Sequence, residues 1–123
     1  MKRLLVIDDD ASAVEALCRL LRLDGYEVTG HEDPMVALAA LRAGGFDALV
    51  TDLEMPRVHG VELVRVARVQ RSGMPVYVVS AYTDSPAALE AIAAGASRVF
   101  AKPLDYDALA DDLAARLAAE PRA

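Results

Sequence analysis

Two hydrophobic rhythms alternate along the chain. Short runs rich in β-branched and large apolar residues fall at 4–7 (LLVI), 26–30 (YEVTG), 47–51 (DALVT), 76–80 (VYVVS) and 98–101 (RVFA), and these predict strands. Between them, apolar residues recur every three or four positions, which predicts helices. The first helix covers 12–24, with Val14, Leu17, Cys18 and Leu21 on one face and Gly25 as its stop signal. The second opens at Asp33-Pro34 and ends before Gly44-Gly45. The third runs from about 59 to 71, its face marked by Val61, Val64 and Ala67 with Arg68. The fourth starts at Ser85-Pro86 and ends near Gly95. The last is capped by Asp105 and carries Leu109, Leu113 and Leu117 in register.

Five strand–helix pairs in succession predict a parallel sheet with helices on both faces, a three-layer α/β sandwich. Strands that are apolar on both sides agree with this, because a parallel sheet is buried twice. Right-handed crossovers place the C-terminal end of every strand on one edge. Ligands in such sheets bind at that edge.

The residues that end the strands are therefore the candidate chemistry. The first strand ends in Asp8 and Asp9, the third is followed by Asp52, the fourth ends in Ser80, and the fifth is followed by Lys102. Neighbouring carboxylates repel, by roughly 4 kcal/mol for a pair at ~4 Å in a surface-like dielectric. A positive partner has to offset that repulsion. Carboxylate oxygens suit Mg²⁺, which takes one or two carboxylates, waters and a phosphate. An Asp beside such an ion, a hydroxyl and an ammonium suits phosphoryl transfer to the carboxylate. Asp8 and Asp9 are adjacent, which leaves them to hold the ion and Asp52 to accept the group. Asp10 reads as an ordinary helix N-cap.

Composition narrows the field. With 123 residues and 54% hydrophobic content the chain suits one ordinary domain with a sizeable core. Its net charge of −6, with basic residues scattered, argues against direct binding of nucleic acid or an anionic membrane. Cys18 has no partner for a disulfide and reads as a buried thiol, which fits a cytoplasmic setting. The opening MKRLLVI is cut short by three Asp and does not make a signal peptide, and no segment approaches a membrane span. Lys2 and Lys102 are the only lysines among 13 basic residues, so a compact ammonium at position 102 is a specific choice over the guanidinium used elsewhere. His31 and His59 have no partner at metal-ligand spacing and are expected to be exposed.

With these pieces in place the chain resembles a response-regulator receiver domain of two-component signalling, in the chemotaxis-Y-like superfamily. The resemblance rests on V-I-D-D-D (6–10), D-L-E-M-P-R-V-H-G (52–60), V-V-S-A (78–81), A-G-A (94–96) and K-P (102–103), in order across nearly the whole chain. It implies the flavodoxin-like (βα)5 fold with strand order 2-1-3-4-5. It implies that Asp52 accepts a phosphoryl group from the phospho-His of a sensor histidine kinase or phosphotransfer protein, and that Ser80 and Lys102 contact that group. It implies Mg²⁺, with Mn²⁺ as an alternative, ligated by Asp9, Asp52 and the Glu54 backbone carbonyl, with Asp8 acting through water. It also implies a cis Lys102–Pro103 bond. The domain is expected over 1–119, with 120–123 a tail or the start of a linker. A downstream effector domain or protein is the implied output partner, and self-association on phosphorylation is left open. Such a domain is a phosphoacceptor that catalyses only its own phosphorylation and dephosphorylation.

The sequence departs from the family at the switch. The family often carries an aromatic three residues before the lysine, and here that position is Val99. Phe100, one place on, should face the other side of the strand. Tyr82 is expected to cover part of the pocket, and Tyr82 and Glu54 to influence phosphoryl lifetime. The expected output face is the fourth helix, fifth strand and fifth helix. Two other functions compete. A phosphorylation-independent interaction module draws on Val99. A haloacid-dehalogenase-type phosphatase would use Asp8 as nucleophile in Asp8-Asp9-Asp10-Ala11-Ser12, but leaves Asp52 idle. A flavodoxin-type FMN site is excluded by carboxylates where backbone should meet phosphate.

Overall fold

The computed structural model describes residues 1–119. The expected tail at 120–123 lies outside the described residues. Five strands, β1 (Arg3–Ile7), β2 (Glu27–His31), β3 (Ala48–Asp52), β4 (Val76–Ser80) and β5 (Arg98–Ala101), alternate with α1 (Ala11–Leu23), α2 (Pro34–Ala43), α3 (Gly60–Gln70), α4 (Pro86–Ala93) and α5 (Tyr106–Ala119). All strand pairs are parallel, and the order across the sheet is β2-β1-β3-β4-β5.

Strand alternation divides the core into two. Leu5, Ile7, Leu49, Val76 and Val78 point to one face and pack with α2, α3 and α4. Leu4, Val6, Val50, Tyr77, Val79 and Phe100 point to the other and pack with α1 and α5. Both faces of β1, β3 and β4 are thus buried, which is why these strands read as unbroken apolar runs. Each fully buried Leu contributes roughly 1.5–3 kcal/mol over its exposed state. The edge strands are thinner, and Val28 is the buried residue of β2. Cys18 is buried within the α1 layer, as expected.

The helices begin where their caps require. Asp10 accepts from Ser12 N at 2.9 Å, Asp33 from Met35 N at 2.9 Å, Ser85 from Ala88 N at 3.1 Å and Asp105 from Ala108 N at 3.1 Å. Several boundaries shift by one residue from the sequence reading, β1 and α1 each starting one residue earlier, and three of the later starts have visible causes. Tyr26 N–H bonds to the Leu21 carbonyl at 3.2 Å, closing the exit of α1, so the β2 ladder starts at Glu27. Asp47 uses its carboxylate to accept from Arg3 N at 2.8 Å, and β3 starts after it and takes in Asp52. His59 caps α3 rather than joining it.

Gly60, the first residue of α3, sits under the end of β3. A Cβ there would lie 2.5 Å from the Asp52 carbonyl oxygen and 2.9 Å from Leu53 Cα. Its N–H bonds to the Leu53 carbonyl at 3.0 Å. Only a residue without a side chain allows this approach. No helix among the described residues is long and apolar enough to cross a membrane.

Candidate functional site

The strand order makes β1 and β3 neighbours, with Ile7 opposite Thr51, so their last residues meet at one edge. Asp8, Asp9 and Asp52 each offer a carboxylate oxygen, and the three oxygens lie within 4.8 Å of one another. Lys102, carried by the turn after β5, places Nζ 3.0 Å from Asp52 Oδ1. The Lys102–Pro103 peptide bond is cis. These groups open on a cavity of about 550 Å³ that continues between α1 and α5, where Leu17 and Leu104 line it.

Asp52 is 2% exposed. Lys102 forms an ion pair with Oδ1, but neither carboxylate oxygen receives an aligned hydrogen bond among the described residues. Burial pushes its pKa up to about 6; the Lys102 contact opposes the rise, and the Asp8 and Asp9 charges add to it. Asp8 is raised too, mainly by burial, against the bond its Oδ1 accepts from Asp10 N at 3.0 Å and the pull of Lys102. Burial works against the Lys102 charge, yet pairing with Asp52 outweighs it and raises the ammonium's pKa. Three carboxylates against one ammonium leave an excess of two negative charges among these side chains. A buried carboxylate with spare acceptor capacity, in an oxygen-rich cluster with that excess, fits a hard divalent cation.

Ser80 ends β4, fully buried, but its hydroxyl is turned to Glu54 rather than to Asp52. Oγ donates to Glu54 Oε1 at 2.6 Å and accepts from Tyr82 N at 3.1 Å. Glu54 itself is exposed on the β3–α3 loop. The Tyr82 side chain, expected over the pocket, stands in solvent at 69% exposure, and Tyr82 reaches Ser80 through its backbone. Val99 is half-buried against the α3 and α4 layer, while Phe100 lies on the opposite face, its ring 5.9 Å from that of Tyr77. His59 is exposed as expected. His31 is not: it is half-buried at the end of β2, where its carbonyl accepts from Asp8 N at 3.4 Å.

A family model described as the response regulator receiver domain matches residues 4–114. The chain is a response regulator receiver domain. The transcriptional regulatory protein FixJ of Bradyrhizobium diazoefficiens is 36% identical to it over 104 residues, covering 85% of this receiver and 51% of FixJ. The receiver therefore spans about half the length of that relative. A CheY-like receiver domain protein from Methanospirillum hungatei superposes with a TM-score of 0.89 at 27% identity, over 96% of this chain and 94% of that one. The response regulator TrrA from Thermotoga maritima, solved in complex with Mg²⁺–BeF, gives a TM-score of 0.82 at 28% identity, over 94% and 99% of the two chains.

Two features of the receiver had no clear signal in the sequence. One is the Glu54–Ser80 bond, which spans 26 residues. The other is a cluster at the far side of the sheet, where Asp112 of α5 accepts from Tyr77 Oη at 2.5 Å, from Arg98 Nη1 at 3.2 Å and from Arg116 Nε. The i, i+4 spacing of Asp112 and Arg116 hinted at their pairing but not at the two strand residues.

Proposed function

We propose that this receiver accepts a phosphoryl group on Asp52 from the phospho-His of a sensor histidine kinase or phosphotransfer protein. The single observation that carries this is the buried Asp52 carboxylate, paired only with Lys102 through Oδ1 and within reach of Asp8 and Asp9. An Asp52 oxygen attacks phosphorus, the P–N bond to the imidazole breaks, and the imidazole leaves with the electron pair and takes up a proton. Lys102 neutralises charge on the phosphoryl oxygens, and the Ser80 hydroxyl donates to one of them. Asp9, Asp52 and the Glu54 backbone carbonyl would ligate Mg²⁺ or Mn²⁺, with Asp8 acting through water. When bound, the ion supplies Lewis-acidic charge that offsets the carboxylates and the incoming phosphoryl group. In this reading Asp8 is not a nucleophile, as a phosphatase would need, and the domain acts on no substrate but its own aspartate.

The transferred group would bias the face made by α4, β5 and α5 and so control an effector domain or protein. FixJ, named a transcriptional regulatory protein, is twice as long as the matched region, which supports an effector segment beside the receiver, with 120–123 then a tail or the start of a linker. A cytoplasmic setting fits such a partner. Val99 puts no aromatic side chain at this point of the face, so coupling would run through other contacts.

The test is incubation with a small phosphodonor and Mg²⁺, followed by intact mass. Wild type should gain one phosphoryl adduct, and Asp52→Asn none. An equal adduct on Asp52→Asn would remove Asp52 from the acceptor role.

A further inference from the structure

Ser80 is the residue that should grip the transferred phosphoryl group, yet its single proton is already committed. A hydroxyl has one donor. Two acceptors stand within reach, Glu54 Oε1 at 2.6 Å and the Tyr82 carbonyl at 3.1 Å. The shorter contact is to a carboxylate, in the range of charge-assisted O–H···O⁻ bonds, so the Ser80 hydroxyl donates its proton to Glu54. The Tyr82 N–H fills an acceptor position of the same oxygen at 3.1 Å. Ser80 thus has no free donor to offer Asp52.

We propose that the Glu54 side chain is an internal competitor for the Ser80 hydroxyl, occupying it in the resting receiver and yielding it when Asp52 is phosphorylated. This rests on the phosphoacceptor reading above and adds to it a named antagonist. The geometry makes the exchange feasible. Glu54 is exposed on a loop, so its carboxylate can exchange Ser80 for water, and the Ser80 hydroxyl, though fully buried, can change acceptors by rotation of its own side chain. Charge drives it in one direction. A phosphoryl group carries about −1.5 to −2 at neutral pH, by analogy with phosphorylated hydroxyls, and repels a carboxylate sharing its donor. Lys102 sits on the Asp52 side and favours the phosphoryl group. Until that happens, only the fraction of molecules with Ser80 released is competent to close on the phosphoryl group, and apparent affinity falls by that fraction. Glu54 therefore sets a threshold on activation.

The test is titration with beryllofluoride in the presence of Mg²⁺, followed by the amide resonances of Ala81 and Tyr82. Glu54→Ala should lower the apparent Kd about tenfold, and Glu54→Gln by less, because the amide oxygen still accepts without charge assistance. In a Ser80→Ala background the Glu54→Ala gain should shrink to under about twofold. Glu54→Ala should also shift the Tyr82 amide in the resting protein, before any loading. An equal gain with and without the Ser80 hydroxyl would overturn the proposal, since Glu54 would then act by charge alone. So would an unchanged Kd in Glu54→Ala. Asp52→Asn separates the two levels: a response like wild type there sinks the acceptor reading, whereas silence there with no Glu54 effect sinks only the competitor.

Discussion

Asp52 and Asp112 are both largely withdrawn from water, and their environments treat them oppositely. Asp112, in α5 beside the first half of β4 and β5, is surrounded by donors. Burial would raise its pKa, but the Tyr77 hydroxyl, Arg116 and Arg98 outweigh burial and hold it below the ordinary carboxylate range. Asp52, at the other end of the strands, has one ammonium on one oxygen and two aspartates beside it, and burial takes it up to about 6. Withdrawal from water alone does not decide what a carboxylate does. The balance of donors does: one acid is saturated and ties α5 to the sheet, while the other keeps bonding capacity, which in the proposed function would go to an ion and a phosphoryl group.

The contrast can be broken most directly by removing each acid in turn. Asp112→Ala should lower stability by about 2–3 kcal/mol in urea denaturation, because the buried Tyr77 hydroxyl loses its partner and two guanidiniums lose theirs. Asp52→Asn should move the other way, raising stability by about 1–2 kcal/mol at pH 7 in EDTA, since it removes an ill-solvated charge. If both variants lose stability equally, the distinction between the two sites is wrong.

Their pH dependences should also run in opposite senses. Asp112 has a folded pKa below its ordinary value of 3.8, so its contribution is full above that value and is lost as pH falls through the folded pKa. The gap between wild type and Asp112→Ala should close below about pH 4. Asp52 has a folded pKa of about 6, so between 3.8 and 6 the native state keeps a proton that the unfolded chain has released. The gap between wild type and Asp52→Asn should be absent near pH 3.8 and widen as pH rises to about 6, read from denaturant midpoints in EDTA.

Two smaller effects sharpen the comparison. Mg²⁺ at ten times its Kd should stabilise wild type by about 1.4 kcal/mol, seen as a higher Tm, and should leave Asp9→Asn nearly unmoved. Tyr77→Phe should cost about 0.5–1 kcal/mol, because Asp112 keeps both arginines.

How much of this was legible in the sequence follows from how far each feature depends on side-chain packing. The chemistry at the edge was readable because strand–helix order alone sends every strand terminus to one side. Asp8, Asp9, Asp52 and Lys102 each follow an apolar run, and the structure brings these four together. The helix starts were readable because Asp10, Asp33, Ser85 and Asp105 act within three residues. Asp112 was not readable in the same way: its partners Tyr77 and Arg98 come from strands, 35 and 14 residues away, and meet it only after α5 has docked. Glu54 and Ser80 were both legible as residues near the pocket, but the bond between them depends on rotamers. Tyr82 has the composition of a pocket cover, yet nothing in its position dictated that the ring turn to solvent. The one-residue shifts of β2 and β3 come from Tyr26 closing back onto α1 and from Asp47 turning its carboxylate to Arg3 at the start of β1.

The close approach at Gly60 makes the two sides of the pocket mechanically unequal. With α3 seated against the Asp52 and Leu53 backbone, β3 is braced like an anvil, and a bulky anion added to Asp52, as proposed, would meet a backbone with little room to recoil. Accommodation would then fall to the opposite jaw, the Ser80 and Lys102 turns. A methyl group at position 60 would loosen the anvil, and the movement that should travel outward as a signal would be absorbed at its source.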